Sequence, residues 1–241
     1  MDYIYLLSVA LAGGLLAFFW PKTNNGFYKL ALVFAGSYLF SITVIHILPE
    51  LFHASGHGSW IGVFVLIGFF LQQVLEYISK GIEHGHLHVH EKGHKHMEST
   101  AVMAMLALSL HALLEGTMLS TGSPHHDSNT LLLGVLIHKA PEAFALMSVL
   151  VCELSRKKSL FYLAAFALAS PVGLALSRYL LNAEILSSEF FSFLFALVCG
   201  NFLHISTTIV YESSSDHKFN FRKTLVAIAA AGVAVIGEMI L

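Results

Sequence analysis

Two four-residue steps, from His111 to Glu115 and from His138 to Glu142, lie in the middle of two successive apolar stretches. Residues four apart on a helix project from one face, so each stretch offers an imidazole beside a carboxylate. An ionisable side chain at bilayer depth costs about 2.5 to 3.5 kcal/mol on the insertion scale, and such groups pair with each other or mark an ion path. Two imidazoles and two carboxylates are a donor set suited to a zinc-type divalent cation. His46-x-x-Pro49-Glu50 ends another apolar stretch, and His204 sits in a fourth with Thr208 four residues later. One such pattern is weak in a histidine-rich chain. Three or four on separate apolar helices point to a shared path, with His46 and Glu50 toward its entrance and His204 in its inner half.

The elements that must hold these residues follow from composition. Of the 241 residues 56% are hydrophobic and 12% charged, and mean hydropathy is +0.72. Apolar runs long enough to cross about 30 Å of hydrocarbon recur along the chain, which defines an all-α, multi-pass membrane protein. Eight spans are expected at 3–20, 28–52, 59–80, 100–121, 130–152, 158–181, 188–213 and 222–241. The loops are too short to fold separately, so residues 1–241 are expected to form one transmembrane domain. The first stretch has neither a basic leader nor a small-residue cleavage site and is expected to be a retained helix. Its Gly13-Gly14 pair, the small residues of AAFALAS in the sixth span and AIAAAGVAVIG in the last suggest close helix packing.

Eleven of the thirteen Lys and Arg lie in or beside the loops after the first, third, fifth and seventh spans. Arg178 lies toward the opposite side, and Lys139 is inside a span. Short cytoplasmic loops collect Lys and Arg, so those four loops are expected in the cytoplasm and both termini outside. The loop at 81–99 carries His84, His86, His88, His90, His94 and His96, six of the fifteen histidines. Alternating His in a Gly-containing charged segment is an auxiliary metal-capturing tract rather than a fixed site. Cys152 and Cys199 fall in separate spans and suggest neither a disulfide nor a metal site. Pro141 removes an N–H and frees the carbonyl of Ile137 beside His138; Pro49 and Pro171 break the ladder similarly. Glu76 and Glu238 have no partner recognisable in the sequence.

The chain resembles the ZIP (Zrt/Irt-like) family of divalent metal transporters through HILPE in the second span, LSLHALLEG in the fourth, HKAPEAF in the fifth, SPVGLALS in the sixth and GNFLHIS in the seventh. His111, Glu115, Gly116, His138, Pro141 and Glu142 match its motifs. Two positions depart: Ala112 stands where the family often has Asn, and Lys139 where it often has an acidic residue. In members with two metals those positions help hold the second. The resemblance therefore implies a single mid-membrane metal here, with the Lys139 ammonium as counter-ion in the second place.

The resemblance further implies two inverted three-helix repeats around spans four and five, a path lined by spans two, four, five and seven, and a homodimer. The expected function is movement of a divalent transition metal into the cytoplasm across a plasma or bacterial cytoplasmic membrane. Zn2+ is the expected substrate, with Fe2+, Mn2+ and Cd2+ as alternatives. No cofactor, nucleotide or nucleic acid is required, and the remaining partner is the lipid bilayer. The rival from another class is an intramembrane zinc hydrolase, with Ser109 or Ser120 as accessory groups around three metal ligands and a water. A metal sensor would bind without flux.

Overall fold

The computed structural model describes residues 1–19, 25–54, 58–79, 97–120, 128–185, 187–212 and 220–240, and these residues are helical apart from short connections. The helices are α1 (Asp2–Phe19), α2 (Asn25–Ile42), α3 (Leu48–Ala54), α4 (Gly58–Ser79), α5 (Met97–Met118), α6 (Ser128–Glu153), α7 (Arg156–Asn182), α8 (Ser188–Glu212) and α9 (Phe221–Ile240). Six segments are long and apolar enough to cross a membrane; α1 is apolar over the shorter stretch Asp2–Ala17. Apolar residues cover the outside as well as the core, with Leu66, Phe70, Tyr77, Phe161 and Ile228 all more than half exposed. In water such a surface would be unfavourable; against lipid tails it is the expected exterior.

Seven of the expected spans appear as single helices whose ends fall within a few residues of those read from the sequence. The second does not. Between α2 and α3 the chain makes a π-turn, Thr43–Ile47, and the Leu48 N–H reaches back to the Thr43 carbonyl. Pro49 explains the place: it has no N–H, and its ring would strike the carbonyl of Ile45 in a regular helix. Thr43 Oγ1 donates to the Leu39 carbonyl at 2.7 Å in the preceding turn. The extra residue in this turn re-aims the face, leaving His46 buried.

Packing pairs α1 with α6 and α5 with α7, and likewise α4 with α8 and α2 with α9. Exchanging α1 with α7, α2 with α8, α4 with α9 and α5 with α6 converts each pair into the other. This is the pattern of two three-span repeats around a central helix pair. Partners from the two repeats are five spans apart, so in a chain that crosses at every span they run in opposite directions.

The closest crossings use glycine because any Cβ would overlap backbone. A side chain at Gly68 would meet the carbonyl of Leu197, and one at Gly200 the carbonyl of Val65, which locks α4 to α8 from both sides. Gly116 and Gly173 do the same for α5 and α7, against Ser170 and Leu113. Gly13 lies against the backbone of Ala140 and Gly14 against Leu163, as the paired glycines suggested. In α9 the expectation fails for glycine: Gly232 and Gly237 face open space, and it is Ala230 and Ala234 that are buried. Backbone cannot move aside as a flexible side chain can, so Gly116→Val should destabilise the fold by about 1 to 3 kcal/mol or more. A lowered midpoint of thermal aggregation in detergent checks this; an unchanged midpoint would contradict the crossing.

Candidate metal centre

His111 and Glu115 lie on α5, His138, Lys139 and Glu142 on α6, and all five side chains are buried. One ligand atom each from His111, His138 and Glu142 fall within 4.8 Å of one another, a group that could hold a metal ion. The imidazole rings stand nearly perpendicular with centroids 6.0 Å apart, and Phe202 of α8 closes on His111 at 6.5 Å. The four-residue helical step places His138 beside Glu142, and the α5–α6 packing brings His111 across to them.

Glu115 is not in that three-atom group. Its Oε2 accepts from the Lys139 ammonium at 2.7 Å and from Ser170 Oγ of α7 at 3.4 Å. Lys139 also donates to Glu142 Oε2, at 3.0 Å, so one cation bridges the two carboxylates. Its Nζ lies 4.7 Å from the centre of the Phe166 ring, an additional cation–π contact. Lys139 therefore does not snorkel to an interface; its side chain is wholly inside the bundle. A charge triad this deep needs each member, because removing one leaves another uncompensated in a low dielectric. The second carboxylate oxygens, Glu115 Oε1 and Glu142 Oε1, are buried without a hydrogen-bond partner among the described residues.

Two further imidazoles meet carboxylates that the sequence left unpartnered. His46 Nδ1 lies 2.8 Å from Glu238 Oε1, joining the second span to α9. His204 Nε2 lies 2.5 Å from Glu76 Oε2, joining α8 to α4. These helix pairs exchange under the repeat correspondence, and each contact lies toward the C-terminal ends of its two helices. Glu50 is partly buried, and His53 on the same helix donates to the Pro49 carbonyl at 2.7 Å. His84, His86, His88, His90, His94 and His96, with His57, His125, His126 and Asp127, lie outside the described residues. Ser109 Oγ is directed to Met105 Sδ, and Ser120 Oγ to the Thr117 carbonyl and to Ser177. Ser170 and Asn201, both polar and buried, carry no recognisable signal of a role in the sequence motifs that contain them. The one pointer is spacing: Asn201 sits three residues before His204 and shares its helix face.

A bundle of apolar helices enclosing imidazoles, carboxylates and an ammonium defines a multi-pass membrane protein with an intramembrane polar centre. Comparison with known proteins specifies it. The ZIP zinc transporter family model matches residues 80–239, and the chain belongs to that family. It is 30% identical over 216 residues to zinc transporter ZupT of Akkermansia muciniphila, covering 80% of this chain and 79% of that protein. Zinc transporter zipt-7.1 of Caenorhabditis briggsae is 22% identical, covering 88% of this chain and 69% of that protein. Protein zntD of Dictyostelium discoideum is 26% identical over 65% of this chain, which spans only 25% of that protein's length.

Proposed function

We propose that this protein carries a divalent transition metal, zinc foremost, across a membrane through one mid-membrane site built from His111, His138 and Glu142. Glu115 is the fourth member of the centre, reached through Lys139. The observation that carries this is the convergence of three buried ligand atoms within 4.8 Å at the packed α5–α6 pair. Mixed nitrogen and oxygen ligands bind strongly enough to replace part of the ion's water and loosely enough to let it go, which a thiolate cage would not. The repeat-like packing supports alternating exposure of that site to the two sides. The basic-loop bias supports both termini outside and inward movement, in a plasma or bacterial cytoplasmic membrane. A homodimer remains part of the proposal, on family resemblance alone.

Purified protein in liposomes tests this. Zinc flux without lipid or peptide turnover is expected; turnover without flux would establish the hydrolase instead, and zinc binding without either would establish a sensor. Competition among Zn2+, Fe2+, Mn2+ and Cd2+ in the same vesicles ranks the substrates.

The histidine-rich loop at 81–99 is proposed to raise local metal concentration or regulate the carrier, since alternating histidines in a charged, Gly-containing tract suit weak capture rather than a fixed site. Deleting it should leave substantial flux in the liposome assay. Complete loss in a folded deletion variant would show that the loop belongs to the path.

A further inference from the structure

One set of polar groups that the central site does not use lies where α8 packs on α4. Glu76 Oε2 is 2.5 Å from His204 Nε2, and Phe69 of α4 packs edge-on to the imidazole at 4.8 Å. A carboxylate accepts, so it holds the proton on Nε2 and leaves Nδ1 of the neutral ring with a lone pair. That Nδ1 is buried and has no hydrogen-bond partner among the described residues. One turn earlier Asn201 is wholly buried, and neither its Oδ1 nor its Nδ2 has a hydrogen-bond partner among the described residues. The three-residue step puts Asn201 and His204 on one face of α8. An unsatisfied buried amide costs about 1 to 3 kcal/mol, so two such residues on one helix face call for an occupant.

A carboxylate accepting from one imidazole nitrogen while the other keeps a buried, unpartnered lone pair is the arrangement that orients histidine toward a metal. Phe202, the residue after Asn201, packs against His111 with ring centroids 6.5 Å apart, so α8 runs past both the central site and this one. We propose that His204 Nδ1 and Asn201 Oδ1 bind a divalent cation at a second site between α8 and α4, with Glu76 as the residue that positions the imidazole. Water fills the rest of the coordination sphere, which keeps binding weak and exchange fast. The site rests on the transport reading only for its role as a way-station; its existence as a cation site does not.

Cobalt absorption tests it in the full chain. With Cys152→Ser and Cys199→Ala removing the native thiols, Asn201→Cys puts one thiolate at the site, and Co2+ alone is titrated. A thiolate-to-cobalt charge-transfer band is expected. Adding His204→Ala should raise the Co2+ needed at least tenfold, and Glu76→Gln should raise it roughly 10- to 100-fold, the usual cost of losing an orienting residue. No band, or a band indifferent to His204→Ala, would leave water as the occupant and overturn the proposal. If Asn201→Cys does not fold, His204→Cys carries the thiolate and Asn201→Ala supplies the shift, with the same two outcomes. The band needs no flux, so vesicles that move no zinc would reject the carrier while leaving this site to stand or fall by its spectrum.

Discussion

Glu142→Ala is expected to remove nearly all zinc uptake while the protein still inserts. Glu142 contributes to the three-atom ligand group and also accepts from Lys139 at 3.0 Å. At the proposed site its loss takes away a ligand and half of the compensation of a buried ammonium together. Breaking a buried ion pair on one side costs about 3 to 5 kcal/mol. Losing a metal ligand should exceed the roughly 10- to 100-fold cost of losing an orienting residue. Flux should therefore fall at least about 100-fold at matched surface abundance. Glu115→Ala should also lose most uptake, for another reason: it strips Lys139 of its 2.7 Å partner but leaves His111, His138 and Glu142 in place. Equilibrium zinc binding separates the two, being lost in the first variant and largely kept in the second. Near-normal uptake in both would refute the centre.

Hydropathy made the helices legible, because crossing hydrocarbon demands long apolar runs whatever their partners. The π-turn was not: Pro49 announces a disturbed ladder, but a kink, a break and a one-residue insertion all satisfy the missing N–H. Helical spacing likewise predicted which side chains share a face. It did not predict that His111, His138 and Glu142 converge while Glu115 turns to Lys139 and Ser170, since that depends on how α5 rotates against α6 and α7. The partners of His46 and His204 lie 192 and 128 residues away in the chain, beyond any local spacing rule. Packing supplied them, and the repeat correspondence relates the helices that carry them. The buried lysine could be placed from sequence inside its span, whereas its bridging of both carboxylates required the fold.

Lys139→Ala should convert a site that exchanges zinc into one that retains it. With both glutamates ionised and the lysine protonated, the centre carries one net negative charge, and two once the ammonium is gone. Two unit charges 4 Å apart interact by roughly 4 kcal/mol at an effective dielectric of about 20, so the gain in affinity should reach at least about 100-fold. Release should slow in proportion, and turnover should fall even though binding tightens. Lys139→Asp with Ala112→Asn goes further, placing an acidic group and an amide where the family resemblance implies second-metal ligands, and should admit a second cation beside the first. Ala112 is wholly buried, so the asparagine carries a packing cost of about 1 to 3 kcal/mol that the bound metal must offset. Metal-loaded structures of the natural protein and the double variant decide the matter. One central metal in the former and two in the latter are expected; two metals bridged by Glu115 or Glu142 in the natural protein, with Lys139 turned away, would sink the account.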